Sequence, residues 1–180
     1  MRCRADQVGG YYRKAGIQKM KIRLAEKQDV GRLMEIFDIA REYQRTHGNP
    51  TQWENGYPQK ALVLRDIETG VCYVVEEEGW IVATFSLIYG ADKTYAVIEQ
   101  GSWKSDAPYA TVHRMASDGT VKGVGAFAFE WCGKKERHLR ADTHKDNLTM
   151  QHILQKEGFE YCGIIYVEDG TERLAYERVK

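Results

Sequence analysis

The chain has 180 residues, which is long enough to bury a sizeable core but short for two independent domains. Its 26 lysine and arginine residues balance 26 aspartate and glutamate residues, so no positive field points to nucleic acid or to an anionic membrane surface. No apolar run approaches the roughly twenty residues of a membrane-spanning helix, and the N-terminus lacks the apolar core of a secretory signal. We therefore expect a soluble, cytoplasmic protein with one domain.

The N-terminal segment differs in pattern from the rest of the chain. Residues 1–20 mix basic and polar groups without helical or strand periodicity, which predicts a disordered leader or an upstream extension. Regular patterns begin at Lys21, so residues 21–180 are predicted to form the domain. The four cysteines lie far apart and form no C-x-x-C pair, which argues against a zinc ribbon or a redox dithiol.

From Lys21 onward, strand-like and helix-like patterns alternate. Apolar residues at helical spacing predict helices, and alternating apolar residues on either side of an acidic turn predict a hairpin over 71–89. An irregular insertion occupies 90–108. Other strands are predicted at 22–25, 109–116, 138–142, 161–167 and 173–179, and helices at 29–46, 59–68, 126–136 and 147–157. These patterns predict a mixed α/β layer around one central sheet.

A glycine-rich turn separates the strand that ends at Ala116 from the helix that follows. It reads SDGTVKGVGAFA from Ser117 to Ala128. The first N–H groups of a helix have no partner within the helix, and glycines allow a ligand to approach them, so the turn predicts a site for anionic phosphate. A P-loop would need lysine followed by serine or threonine after its second glycine, and Gly125 is followed by Ala126. The ligand is predicted to be a nucleotide-like cofactor.

The same turn also fits the G-x-G-x-x-A pattern of dinucleotide-binding folds. Asp142 lies at nearly the distance expected for a ribose ligand. However, six residues separate Ala116 from Gly123, whereas in that fold the strand runs almost directly into the first glycine. Too few residues follow to complete a doubly wound sheet. A dinucleotide-binding oxidoreductase is therefore the second interpretation.

The strand, the loop of type Q/R-x-x-G-x-G/A and the helix together resemble the GNAT superfamily of acyl-CoA-dependent N-acyltransferases. TVHRMASDGTVKGVGAFAFEW is similar to the family's fourth strand, cofactor loop and third helix. LRADTHKDNLTMQHILQKEGFEYCGII is similar to its fifth strand, fourth helix and sixth strand. The resemblance extends over 21–180 and implies an α/β (α+β) fold. Its single mixed, mostly antiparallel sheet would have about six to seven strands, flanked by about four helices.

The resemblance implies acetyl-CoA as the acyl donor and needs no metal. The backbone of β-strand residues would pair with the pantetheine arm, and the amides of 121–126 would hold the pyrophosphate. The acyl group would pass directly to an amine through an oxyanion held by preorganised donors, Met115 N–H among them. The implied cofactor-binding residues are Arg114, Met115, Ala116, Thr120, Val121, Lys122, Gly123, Val124, Gly125, Ala126 and Asn147.

Two positions depart from the family pattern. Thr120 stands where the loop signature usually has glutamine or arginine, which removes a cationic side chain but keeps the backbone cradle. Leu154 stands where many members have the tyrosine that protonates the leaving thiolate. Tyr161 in the next strand, or a water molecule, would have to replace it. This leucine is also the main support for a non-catalytic acyl-CoA-binding module as an alternative.

Two histidines are candidates for the general base that deprotonates the amine. His113 precedes Met115 by two residues and would share its face of the strand, and His144 follows the fifth strand. Each histidine is alternatively a structural hydrogen-bonding residue. Arg114 is expected to face away from His113, and it is alternatively the cation of an internal ion pair, for which Asp142 is the suggested partner. His144 and His152 do not have the spacing of a metal site.

The acceptor is expected near the connection between the first two helices. Trp53, Glu54 and Tyr57 combine apolar walls with a carboxylate suited to a small cationic amine, although the aromatics are alternatively a lid on the core. The sequence thus predicts an enzyme that acetylates a primary amine of a small molecule or peptide. No nucleic-acid or membrane partner is expected, and exposed strands at the sheet end would permit a homodimer.

Overall fold

The structure is a computed structural model that describes residues 20–180. The predicted leader, apart from Met20, lies outside the described residues. The α-helices are α1 (Val30–Thr46), α2 (Lys60–Glu68), α3 (Val124–Lys135) and α4 (Leu148–Lys156). The strands are β1 (Lys21–Leu24), β2 (Cys72–Glu77), β3 (Trp80–Tyr89), β4 (Ala110–Ser117), β5 (His138–Thr143), β6 (Glu160–Tyr166) and β7 (Glu172–Val179).

The strands form one sheet of seven, in the order β1-β2-β3-β4-β5-β7-β6. Every neighbouring pair is antiparallel except β4 and β5, which are parallel and joined through α3. The prediction of a single mixed, mostly antiparallel sheet with four flanking helices is therefore confirmed. A mostly antiparallel sheet also excludes the doubly wound parallel fold that the dinucleotide interpretation required.

Helices cover both faces of the sheet. On one face, α1 and α2 bury an apolar stripe that includes Leu33, Ile36 and Phe37 at helical spacing, packed against Val74 of β2. On the other face, α3 and α4 pack a larger cluster against the centre of the sheet. This larger cluster includes Val124, Ala128, Phe129, Cys132, Leu154, Phe85 and Leu139. The two cores explain why the central strands are apolar on both sides.

Strands β4 and β5 separate soon after they meet. Their parallel pairing is confined to Ala110 opposite Leu139 and Thr111 opposite Arg140. The remainder of β4, up to Ser117, keeps its pairing with β3 on the other side. The β5-facing main-chain groups of β4 after Thr111 therefore lie free at an opening in the middle of the sheet, and the glycine turn follows at its end.

The insertion at 90–108 is ordered against the far half of the sheet. It contains a short 3₁₀ turn, Lys93–Tyr95, and a bridge between Glu99 and Ile164 of β6. Gly101 and Gly163 allow this close crossing, because a Cβ on Gly163 would lie 2.6 Å from the Glu99 carbonyl oxygen and a Cβ on Gly101 would collide with main-chain atoms of β6. The insertion therefore acts as a cover that places side chains over β5.

Candidate active site

The glycine turn presents a group of free main-chain donors. Gly123 precedes α3 with φ +80°, a left-handed conformation that strongly favours glycine, and no other heavy atom lies within 4 Å of where its Cβ would be. Among the described residues, no acceptor takes a hydrogen bond from the N–H groups of 121–126, and the first return bond is from Phe127 to Gly123. Because the positive end of the α3 dipole lies there too, the turn is suited to an anionic group.

Side-chain contacts of Asp118 stabilise the conformation of the turn. Its carboxylate accepts hydrogen bonds from the Thr120 N–H at 3.0 Å and the Thr120 hydroxyl at 2.6 Å, and it pairs with Arg32 of α1. Arg32 also donates to the carbonyl oxygen of Ile81 at 3.0 Å, so α1, β3 and the turn are tied together. The side chain of Thr120 is thus engaged with Asp118, while Lys122 is exposed and has no ion pair among the described residues.

A left-handed residue redirects the middle of β4. Arg114 has φ +53°, and the β3–β4 register shifts between Thr84 and Ser86 beside it. The Arg114 guanidinium donates to Asp66 of α2 at 2.9 and 2.5 Å, and Ser86 donates to the same carboxylate at 2.8 Å. The expected pair with Asp142 is therefore wrong. Ser86 and His113 are register partners, so their side chains share a face of the sheet. The bulge turns Arg114 toward this same face, where Arg114 and Ser86 both contact Asp66.

His113 is held between two carboxylates from distant parts of the chain. Its Nε2 is 2.9 Å from Oδ2 of Asp92 in the insertion, and its Nδ1 is 3.7 Å from Oδ1 of Asp142 in β5. Tyr95 donates a hydrogen bond to that Asp142 oxygen at 2.7 Å. The hydrogen bond with His113 holds the pKa of Asp92 well below its usual range, and burial raises the pKa of Tyr95. Both imidazole nitrogens therefore face protein groups.

His144 lies just beyond β5 and is differently placed. Its Nδ1 is 3.3 Å from the N–H of Asp146 and 3.4 Å from a carboxylate oxygen of the same residue. Its Nε2 has no hydrogen-bond partner among the described residues, and the ring lines a cavity of about 270 Å³. Burial, assisted by the charge of Arg173, lowers the pKa of His144 below its ordinary value of 6.5. The ring is therefore neutral at physiological pH.

The same cavity reaches the buried guanidinium of Arg173 on β7. Arg173 is 7% exposed, and its Nε lies 4.0 Å from Oδ2 of Asp142. Lys145, Ile164, Thr171, Glu172 and Leu174 complete the lining. We call His113, Asp142, His144 and Arg173 the charged cluster, because Asp142 and Arg173 are ionised and the two histidines lie with them at the end of the β4–β5 opening.

A polar contact links the α1–α2 loop to the start of α4. Asn147 accepts the Met150 N–H at 3.1 Å as the helix cap, and its amide nitrogen donates to Oε1 of Gln52 at 2.8 Å. Asn49 donates to the same oxygen at 2.8 Å. Arg173 donates to the main-chain oxygen of Gln52 at 3.3 Å. The side chain of Asn147 is thus already occupied by a cap and by Gln52.

The loop residues expected to contact the acceptor lie on the face of the sheet that α1 and α2 cover. Trp53 packs edge-on against Phe37, with ring centroids 5.8 Å apart, and belongs to the margin of the α1–α2 core. The Tyr57 hydroxyl is 3.5 Å from Arg114, and Glu54 is exposed. Trp53 is therefore at least partly a packing residue, as its alternative interpretation held.

The two positions considered for the general acid lie apart from the charged cluster. Leu154 is completely buried in the core under α4. Tyr161 is 48% exposed on β6, two strands from β5 in the sheet, and its ring lies against Tyr176 at 5.9 Å. No contact in the described chain joins Tyr161 to His113 or His144.

Four residues at the site were missed by the sequence analysis. Asp66, Asp92, Gln52 and Arg173 come from α2, the insertion, the α1–α2 loop and β7, and each contacts a residue that had been singled out. Charged residues in a chain with balanced charge do not stand out by type. An arginine within the otherwise alternating pattern of β7 was the single available clue.

Within residues 20–180, no group of three or more His, Cys, Asp and Glu side chains is placed to hold a metal ion. None of the helices in that part of the chain has the length and apolar character needed to cross a membrane. The three cysteines in that part of the chain, Cys72, Cys132 and Cys162, are free and buried. Burial raises the pKa of Cys72 to about 11 and that of Cys132 to about 12.

Similarity to known proteins agrees with this geometry. No protein-family model matches the chain. A crystal structure of a GNAT-family acetyltransferase from Streptococcus agalactiae is similar with a TM-score of 0.82 and 34% identity, covering 89% of this chain and 95% of that one. The chain belongs to the GNAT family of acetyltransferases. It is accordingly an acyltransferase, as predicted, rather than a dinucleotide enzyme.

Two further similar proteins differ in how closely their sequences match this GNAT protein. The S-(2-succino)cysteine N-acetyltransferase of Bacillus subtilis is 28% identical over 132 residues, which are 71% of this chain and 70% of the relative. A GNAT-family acetyltransferase structure from Bacillus cereus has a TM-score of 0.60 at 16% identity, covering 89% of this chain and 97% of that one. The second likeness concerns the fold alone.

Proposed function

We propose that this GNAT protein transfers an acetyl group from acetyl-CoA directly to a primary amine of a small molecule or peptide. The observation that carries the proposal is the combination of the free amides at 121–126 with the unpaired edge of β4 and a neutral histidine at the same opening. A phosphate-binding turn and an open strand edge suit a long cofactor that has an anionic end and an amide-bearing arm.

The residues present fit that cofactor. The amides of 121–126, with Gly123 as the close-approach point and Lys122 as a cation, would hold the pyrophosphate, and the free edge of Arg114, Met115 and Ala116 would pair with the arm. When bound, acetyl-CoA supplies the activated acyl group. Thr120 would act mainly by shaping the turn through Asp118. Asn147 would contribute by capping α4 and holding Gln52 in place.

Of the two histidines, we assign the general base to His144. Its pKa favours the neutral ring, and its Nε2 is free at the cavity, whereas His113 is engaged by Asp92 and Asp142. The Asp146 carboxylate, 3.4 Å from Nδ1, would stabilise the ring after Nε2 takes the amine proton. We assign His113 a positioning role, because it connects the insertion to β5.

No side chain is assigned as the general acid. Leu154 is buried, and Tyr161 lies on the outer strand, so a water molecule at the opening would have to protonate the leaving thiolate. Trp53 and Tyr57 would form one wall of the acceptor site, with Glu54 at its exposed margin.

The test measures CoA release with acetyl-CoA and a panel of primary amines, including S-(2-succino)cysteine, the acceptor named for the B. subtilis relative. Calorimetry with acetyl-CoA, CoA and NADH runs beside it, and both CoA forms should bind while NADH should not. His144→Gln should lower kcat about hundredfold or more while acetyl-CoA affinity stays the same. Acetyl-CoA binding with no turnover on any amine would contradict the proposal.

His113→Gln is the matched control for the choice of base. It should reduce thermal stability, because it breaks the contacts with Asp92 and Asp142, and lower kcat less than His144→Gln does. The reverse order of the two kcat effects would assign the base to His113 instead.

A further inference from the structure

The buried guanidinium of Arg173 is incompletely paired. It has five N–H donors, of which one bonds the Glu172 carbonyl oxygen at 3.0 Å and one the Gln52 carbonyl oxygen at 3.3 Å. Its nearest carboxylate, on Asp142, is 4.0 Å away and is shared with Tyr95 and His113. A buried charge with unused donors is costly unless an anion approaches it, so this position favours a ligand with negative charge.

Gln52 adds a second donor beside Arg173. The Asn147 amide is oriented unambiguously, because its oxygen accepts a main-chain N–H and its nitrogen must therefore donate. This fixes Oε1 of Gln52 as the acceptor and leaves its Nε2 pointing elsewhere, with no acceptor in the described part of the chain. Gln52 thus has an amide donor without a partner among the described residues, and its main-chain oxygen lies 3.3 Å from the partly paired Arg173 guanidinium.

The size and chemistry of the cavity narrow the ligand. Its volume of about 270 Å³ is at the small end of ligand pockets, which commonly reach about 300–1,000 Å³. Its buried lining offers Arg173 and the neutral ring of His144, while the exposed Lys145 and Glu172 carry opposite charges. The buried part of the lining is therefore cationic, which disfavours polyamines and favours a compact acid.

We infer that the acceptor is an amino acid or amino-acid derivative whose carboxylate binds between Arg173 and Gln52 while its amine lies toward His144. This inference rests on the proposed N-acetyltransferase function and names its substrate class. The carboxylate complements the unused guanidinium donors, and the amine is placed beside the proposed base. Binding of the acid thereby selects the acceptors whose amine is next to a carboxyl group.

The test uses three sets of acceptors, and within each set the compounds share one side chain and differ only in the α-carboxyl group. L-alanine, L-methionine and L-glutamate are compared with their α-carboxamides and with the amines formed by α-decarboxylation. For at least one side chain, kcat/KM of the acid should exceed that of its amide by about tenfold or more, the loss expected when a charged hydrogen bond is removed. Amides or plain amines that react as well as the acids would overturn the inference.

Two variants locate the preference. In Arg173→Gln, the acid-to-amide ratio of kcat/KM should collapse toward one. Gln52→Glu keeps the oxygen that accepts from Asn147 but presents negative charge, so it should reduce the ratio by raising KM for the acids. If Arg173→Gln does not fold, as judged by acetyl-CoA affinity and melting temperature, Gln52→Glu decides alone. An unchanged acid-to-amide ratio of kcat/KM in a folded Gln52→Glu variant would contradict the proposed carboxylate site.

Product binding separates this inference from the proposed function. Calorimetry compares the N-acetylated acids with the N-acetylated amides in the presence of CoA. A tenfold preference for the acids supports the carboxylate site even if no amine is turned over, in which case only the proposed function fails. Turnover of amines without any acid preference would leave the proposed function intact and remove the inference.

Discussion

The glycine turn and the charged cluster lie at the same opening but are built in opposite ways. The turn uses consecutive residues and main-chain N–H groups, with Gly123 in a left-handed conformation. The charged cluster uses side chains from β4, β5, the segment after β5 and β7. A site made of consecutive main-chain groups can be recognised from a short sequence motif. A site made of side chains from separate elements comes together only after the sheet has formed.

The largest effect should come from closing the turn. Gly123→Glu adds a negative side chain and backbone strain where the free amides converge, and should weaken acetyl-CoA about a thousandfold, equivalent to losing two or three charge-assisted hydrogen bonds. Gly79→Glu is the matched control, because Gly79 has a similar φ of +85° and open space in the β2–β3 turn. Calorimetry should show normal affinity in the control, and equal losses in both would indicate unfolding.

The next effect concerns the contribution of the Arg114–Asp66 ion pair to stability. Asp66→Asn removes the anionic partner of the Arg114 guanidinium, whose side chain is 11% exposed, and should destabilise the protein by about 3 kcal/mol in urea unfolding. Glu42→Gln, which removes an exposed pair with Arg45, should not change stability measurably. A neutral result for Asp66→Asn would show that Arg114 is solvated.

Much of the fold followed from the sequence patterns, and within the candidate site the glycine turn was the part that a short motif could indicate. The hairpin predicted over 71–89 matches β2 and β3, and most other elements were predicted within about two residues, because period and turn residues are local signals. The Arg114 bulge could not be foreseen, since its φ of +53° has no local sequence signal and the Asp66 that pairs with Arg114 lies in a different element. Asp92 was equally hidden, because an insertion without periodicity gives no indication of where it packs.

A smaller effect tests the position that lacks the family tyrosine. Leu154 is fully buried in the α3–α4 core, so Leu154→Tyr should overpack it and destabilise the protein by about 2 kcal/mol, seen as a lower melting temperature. The kcat should not rise, because the new hydroxyl has no open space there. Leu154→Met, which conserves volume, is the control. A faster Leu154→Tyr enzyme would show that α4 opens toward the cofactor.

The smallest effect is the pH dependence that His144 should impose. Because burial lowers its pKa, the acidic limb of kcat should have its midpoint below 6.5, with activity retained at pH 6.5 and falling up to tenfold for each further pH unit. His144→Gln should remove this limb, while His113→Gln should keep it. A midpoint at or above 6.5 would contradict the assignment of the base.

The separation of β4 from β5 also has a mechanical meaning. The seven-stranded sheet is two smaller sheets, β1 to β4 and β5 to β7, that share only two residue pairs of hydrogen-bonded backbone. Beyond those pairs, side-chain and core contacts hold the two halves together, among them the contact of His113 with Asp142, the hydrogen bond of Asn147 with Gln52 and the packing of α3. A molecule that paired with the free edge of β4 in this gap would add hydrogen bonds between the two halves, so occupancy of the gap should make the sheet more rigid.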